Sequence, residues 1–215
     1  VEGSAALRIT VSENGPYLVE GRVAIVDAEG RAVEPRNPES FALCRCGGSQ
    51  NKPFCDGTHR KNGFVGTEVA DRGPIAARRV VYRGAGVTVF DDRSICSHVG
   101  YCTDRLPAVF RSKRDPWIEP DAASVDEVVA AVRRCPSGAL AYALGQADVP
   151  VEEPEDLIVM PSRDGPYFVR GRLELVSPDG TGYERRPHYT LCRCGGSKNK
   201  PFCDGTHWYK GFRAP

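Results

Sequence analysis

Several things are scarce in this chain of 215 residues. It has no excess of charge: 29 Lys and Arg stand against 28 Asp and Glu, a formal net charge of +1. That balance removes the case for a nucleic-acid footprint, which needs a basic face. Adjacent pairs such as Arg78-Arg79, Arg133-Arg134 and Arg185-Arg186 are expected to be solvated surface. No apolar run reaches the ~18 residues of a membrane-spanning helix, so no membrane span is expected. A nucleotide-binding glycine loop, a Ser/His/Asp set and a paired-carboxylate constellation are all missing, which makes an enzyme the weakest reading. No export signal is visible at the start of the sequence, and the expected compartment is a reducing, cytoplasmic one.

Cysteine is not scarce. There are nine, an odd number, and they fall in tight groups rather than spread to cross-link distant loops. Without an export signal, that pattern favours metal ligation over disulfides. A disulfide within a C-x-C would also close a strained ring.

The cysteines sit in a repeat. CRCGGSQNKPFCDGTH, from Cys44 to His59, returns as CRCGGSKNKPFCDGTH from Cys192 to His207. The likeness extends outward: Asn14-Gly-Pro-Tyr17 is echoed by Asp164-Gly-Pro-Tyr167, Gly21-Arg22 by Gly171-Arg172, and Gly63-Phe64 by Gly211-Phe212. The unit spans about 55 residues and occurs twice, so it is a duplicated domain and not a solenoid. Tyr17–Val26 and Tyr167–Val176 are rich in β-branched and aromatic residues, bounded by Asn/Asp-Gly-Pro before and a Gly-containing turn after, and so read as strands. Each copy carries little apolar material; a domain that small is marginal on burial alone and needs a staple such as a bound metal centre.

The motif is C-x-C-x8-C-x3-H. In an extended segment, alternation points Cys44 and Cys46 to one face, where they can share a metal ion. Cys55 and His59, four apart, meet on one face of a helical turn. Asp56-Gly57 suits a helix start, whose N–H groups favour an anion, and a thiolate-held cluster is an anion. Gly47-Gly48 lets the backbone pass close to the site, and Pro53 stiffens the approach to Cys55. Arg45 and Arg193, inside each C-x-C, are read as solvated, with tempering of cluster charge or docking of an acidic partner as alternatives. A structural zinc site also suits Cys3His, although zinc knuckles usually pair C-x2-C with a distant second pair.

With CDG and the histidine in place, each repeat resembles the CDGSH iron–sulfur (mitoNEET-like) domain family. Thr58 and Thr206 stand where the family motif has Ser, and the hydroxyl is kept. The resemblance implies a 2Fe–2S cluster held by three Cys and one His: Cys44, Cys46, Cys55 and His59 in one copy, Cys192, Cys194, Cys203 and His207 in the other. It also implies that strands from the two units pack together as a pseudo-two-fold pair. His188 is read as an ordinary loop residue.

Between the repeats the chain changes character. Val80-Val81-Tyr82 and Gly86–Phe90 read as a hairpin turning on Arg-Gly-Ala-Gly. Val125, Val128, Val129 and Val132 recur at helical spacing, with Ser124 and Glu127 placed for a capping box. Leu140–Leu144 reads as a returning strand. Cys96 and Cys102 form C-x5-C, and Cys135-Pro136 follows further on. Bacterial ferredoxins use C-x2-C-x2-C with a remote C-P; here the middle ligand position is Val99, which cannot ligate. The segment resembles the divergent mono-cluster ferredoxin family. Three cysteines suffice for a 3Fe–4S cluster, and His98 is a candidate to complete a 4Fe–4S set.

The expected fold is α+β and β-rich: two duplicated CDGSH β units, residues 1–66 and 155–215, with an inserted ferredoxin-like α+β module, 78–145. Linkers are expected at 66–77 and 145–156. The expected function is electron transfer by a non-enzymatic iron–sulfur protein with a redox partner protein. Alternatives are cluster delivery to an apo-acceptor or redox and pH sensing, and a structural zinc-binding module. The copies differ after the ligand His, Arg60-Lys61 against Trp208-Tyr209, which reads either as aromatic cover that changes the second site's potential or lability, or as surface drift without consequence.

Overall fold

The structure is a computed structural model that describes residues 7–152 and 156–215. The expected domain starts at residues 1 and 155, and residues 153–155 near the end of the second linker, lie outside the described residues. In chain order the strands are β1 (Arg8–Val11), β2 (Tyr17–Glu20), β3 (Ala24–Ile25), β4 (Ser40–Leu43), β5 (Val80–Arg83), β6 (Val87–Asp91), β7 (Leu140–Leu144), β8 (Ile158–Pro161), β9 (Tyr167–Arg170), β10 (Glu174–Val176) and β11 (His188–Leu191). The α-helices are α1 (Ile75–Arg78), α2 (Tyr101–Arg105), α3 (Val125–Arg133) and α4 (Thr206–Lys210). His188 therefore opens a strand and does not lie in a loop. These elements form two units, one built from both repeats and one from the segment between them.

In the first unit each repeat gives a strand to the other. The sheet β10-β1-β2-β4 takes β10 from the second repeat; the sheet β11-β9-β8-β3 takes β3 from the first. Both exchanged strands pair in parallel, Ile9 opposite Leu175 and Ile25 opposite Val159, whereas the other pairings are antiparallel. The predicted long strands are broken in two at Gly21 and Gly171, which take φ of 87° and 86°, and this break sends β3 and β10 across. Alternation then sorts the side chains: Ile9, Val11, Tyr17, Val19 and Leu43 are fully buried, as are their counterparts Val159, Tyr167, Val169 and Leu191. Neither repeat buries such a face by itself, so the exchange answers the shortage of apolar residues. The expected linker also docks on the second repeat: Val69 and Ala70 N–H donate to the Lys200 carbonyl, and Arg72 stacks over Tyr183, 4.1 Å from the ring centroid.

The second unit is an antiparallel sheet in the order β5-β6-β7 with α3 packed against it. The hairpin, the returning strand and the helix lie where periodicity put them. Ser124 Oγ accepts from the Glu127 amide, and the Glu127 carboxylate accepts from the Ser124 amide at 3.0 Å, completing the capping box. Val87, Val89, Phe110, Ile118, Val128 and Leu140 fill its core.

Three arginines depart from expectation. Arg45 and Arg193 are 1% exposed, and Arg186 is buried with its guanidinium 5.2 Å from the Phe202 ring centroid. Apolar stems and stacking on aromatic faces draw guanidinium groups inward where neighbouring carbonyls accept their N–H groups.

Candidate metal centres

Each repeat's strand ladder ends where its cysteines begin. β4 stops at Leu43, and Cys44 N–H donates to the Pro53 carbonyl at 2.8 Å while Cys55 N–H donates to Ala42. The second copy repeats this, Cys192 to Pro201 and Cys203 to Thr190. Two strand-like crossings thus hold the C-x-C beside the later Cys. The side chains come together in pairs. Cys44 and Cys46 Sγ are 3.9 Å apart, and Cys55 Sγ lies 3.4 Å from His59 Nδ1. In the second copy the distances are again 3.9 Å for Cys192 with Cys194 and 3.4 Å for Cys203 with His207 Nδ1.

The helix start expected at Asp56-Gly57 is a single 3₁₀ turn, Thr58–Arg60, in the first repeat and the five-residue α4 in the second. The aspartate closes the loop. Asp56 accepts from the Gln50 and Thr58 amides at 2.8 and 3.0 Å, and Asp204 from Lys198 and Thr206 at the same distances. Those backbone donors, that of Gln50 first, hold the Asp56 carboxyl far below the usual carboxylate range.

The surroundings fit an anionic sulfur-held group. Amides point at the thiols: Gly48 to Cys46, Gly57 to Cys55, Gly196 to Cys194 and Gly205 to Cys203, at 3.4–3.5 Å. Behind each C-x-C the buried guanidinium meets carbonyls, Ser12 and Gly66 for Arg45, and Gly165, Ser162 and Pro215 for Arg193. Arg45 Nε has no partner among the described residues. A buried cation faced mainly by carbonyls would be offset by the negative charge the adjacent sulfurs take on once they hold a metal. Burial pushes the Cys44 and Cys55 thiols up, so they keep their protons until a cationic metal replaces them. In the second copy the adjacent Cys194 sulfur and burial push the Cys192 thiol up, while the Cys192 contact and the Gly196 amide draw Cys194 down.

The copies differ in exposure. Cys46, Cys55 and His59 are half-buried, whereas Cys192, Cys194, Cys203 and His207 are all buried. Phe212 and Ala214 cover Cys192 and Cys194, and the Trp208 ring lies 4.9 Å from that of His207. Trp208 and Tyr209 are themselves exposed.

In the second unit Cys96 follows β6, Cys102 sits in α2 and Cys135 follows α3. All three line one cavity together with Asp91, His98 and Trp117. Burial raises the Cys96 thiol and pushes Cys102 up to about 11. His98 lines the cavity from an exposed position with φ of 53°, and its backbone amide bonds the Cys96 sulfur. Asp91, at the end of β6, escaped the sequence reading. It is 3% exposed; Oδ2 accepts from Trp117 Nε1 at 3.2 Å and faces Arg93 at 3.3 Å, while Oδ1 has no partner among the described residues. A carboxylate ending the buried strand Val87-Thr-Val-Phe90 carries no motif; only the fold places it among the cysteines.

The family model described as iron-binding zinc finger, CDGSH type, matches residues 14–60 and 164–208, and the one described as divergent 4Fe–4S mono-cluster matches residues 82–145. Two curated relatives, each named uncharacterized protein YjdI, come from Escherichia coli strain K12 and Escherichia coli O157:H7. Each is 43% identical over 61 residues, which is 28% of this chain and 80% of the relative. No solved structure matches the chain. No helix among the described residues is long and apolar enough to cross a membrane. The chain is therefore an iron–sulfur protein that belongs to the CDGSH type, with two such domains flanking a divergent 4Fe–4S mono-cluster domain.

Proposed function

We propose that the chain is an electron carrier with three iron–sulfur centres. Each repeat holds a 2Fe–2S cluster, one on Cys44, Cys46, Cys55 and His59, the other on Cys192, Cys194, Cys203 and His207. Cys96, Cys102 and Cys135 hold a 3Fe–4S or 4Fe–4S cluster, with His98 or Asp91 as the fourth ligand in the latter case. The observation that carries this is the pairing of side chains. Among the described residues no three His, Cys, Asp or Glu groups converge on one ion, while each repeat presents a Cys–Cys pair and a Cys–His pair. One pair per iron suits a two-iron core better than a single tetrahedral zinc. An imidazole in place of a thiolate makes the core less anionic, so it accepts an electron at a higher potential than an all-cysteine site.

Anaerobic purification with iron, sulfide and zinc analysis tests the reading, followed by visible and EPR spectra and a redox titration. Iron with acid-labile sulfide and three reducible centres that exchange electrons is the expected result. Colourless, zinc-loaded protein ends the proposal.

Cluster delivery is favoured for the first repeat by a separate observation, the half-buried state of Cys46, Cys55 and His59. Solvent and an acceptor thiol reach these groups more readily than their buried counterparts. Transfer to an apo-acceptor from the first site, and not from the second, is the expected outcome.

A further inference from the structure

We propose that each repeat's iron–sulfur site is braced by a tyrosine of the opposite repeat, Tyr17 holding the second site and Tyr167 the first, so that the two sites form a coupled pair. This rests on the reading that both loops hold clusters.

The contacts are reciprocal. Tyr17 Oη lies 3.0 Å from the carbonyl oxygens of Cys192 and Pro201. Tyr167 Oη lies 2.8 Å from that of Cys44 and 2.9 Å from that of Pro53. These carbonyls belong to the first cysteine of each motif and to the proline whose carbonyl its amide bonds. Each tyrosine thus clasps both crossings of the opposite loop.

At its other end each tyrosine is tied to its own loop. Tyr17 pairs with Leu43, the residue before Cys44, and Tyr167 with Leu191, before Cys192. Arg45 and Arg193 stack on them at 5.4 and 5.6 Å from the ring centroids. The rings meet edge to face, 6.2 Å apart. The contacts close a circuit: Cys44 to Tyr17 by the ladder, Tyr17 to Cys192 by its hydroxyl, Cys192 to Tyr167 by the ladder, and Tyr167 back to Cys44. The C-x-C turns touch as well, a Cβ on Gly47 falling 2.8 Å from the Cys194 oxygen and one on Gly195 2.8 Å from that of Cys46. Movement of one loop on gain or loss of its cluster is passed to the other.

The test is crossed. Tyr17→Phe and Tyr167→Phe keep the rings and remove only the hydroxyls, leaving buried carbonyls without that donor. Hydrogen exchange by mass spectrometry on the purified chain follows peptides covering 44–59 and 192–207, told apart by Gln50 and Lys198. Tyr17→Phe is expected to speed exchange in 192–207 about tenfold, the usual size for a lost buried donor, and to speed 44–59 by a smaller factor through the coupling; Tyr167→Phe does the reverse. Iron release to a chelator follows the same crossed pattern in chains stripped of one site by His59→Ala or His207→Ala. Changes confined to the tyrosine's own repeat, equal changes in both loops, general loss of protection, or no change overturn the proposal. Wild-type protein without iron and sulfide would sink the cluster reading, while the exchange pattern would still decide the brace.

Discussion

The close approach of the two C-x-C turns sets a measurable penalty. A Cβ on Gly47 would stand 2.8 Å from the Cys194 oxygen and 3.1 and 3.2 Å from its C and Cα, all backbone atoms. Ordinary contact begins at 3.4 Å, so one turn must retreat by roughly 0.6 Å against a packed core. Gly47 also has φ of +76°. Gly30 separates the two costs, because its φ is +81° and nothing lies within 4 Å of its Cβ position. Gly30→Ala therefore carries the left-handed penalty alone, about 1–2 kcal/mol. Gly47→Ala adds overpacking of about 1–3 kcal/mol, and Gly195→Ala, aimed at the Cys46 oxygen at 2.8 Å, matches it. Urea unfolding of the purified chain, followed by circular dichroism and visible absorbance, reads both terms. Equal midpoints for Gly30→Ala and Gly47→Ala would refute the claim that the two turns are pressed together.

Arg193→Met removes a buried positive charge beside the second site, and the midpoint potential of that centre should fall; a potential unmoved in redox titration would show that the guanidinium only packs. His59→Cys should lower the first site's potential and abolish its acid-triggered cluster loss, read from visible absorbance against pH. Burial lowers the pKa of His207. Its imidazole stays neutral to lower pH than a solvated one, so metal-binding competence and folded stability both persist above its ordinary pKa and fail only as pH drops further. Trp208→Ala, by wetting that ring, should move acid-driven loss at the second site to higher pH; an unshifted curve would count against aromatic sealing. In the middle domain, Asp91→Asn and His98→Ala separate the two candidates for a fourth ligand: the one that converts a 4Fe–4S EPR signature to 3Fe–4S is the ligand, and no change with either favours a three-cysteine site.

Much of the site was legible because local chemistry wrote it. C-x-C-x8-C-x3-H needs only an extended segment and one turn to bring its groups into pairs, and both copies obey. The capping box at Ser124 and the Val spacing of α3 were equally local. Arg45 and Arg193 were misread because a charged residue in a loop is usually wet, and only the surrounding carbonyls and aromatic rings make burial tolerable. Asp91 went unnoticed because its place beside Cys96, Cys102 and Cys135 depends on three separate elements meeting.

The sequence by itself determined that there are two metal-binding repeats and a third cysteine group between them, since ligand spacing is a property of short stretches of chain. It also showed that each repeat is short of apolar residues and needs a staple beyond its own burial, for which a bound metal centre was the candidate. Only the tertiary structure decided how that shortage is met: by exchange of β3 and β10 and by Tyr17 and Tyr167 reaching across. Long-range pairing depends on which faces are left unburied once local structure has formed, and two nearly identical repeats leave nearly identical faces, each able to complete the other.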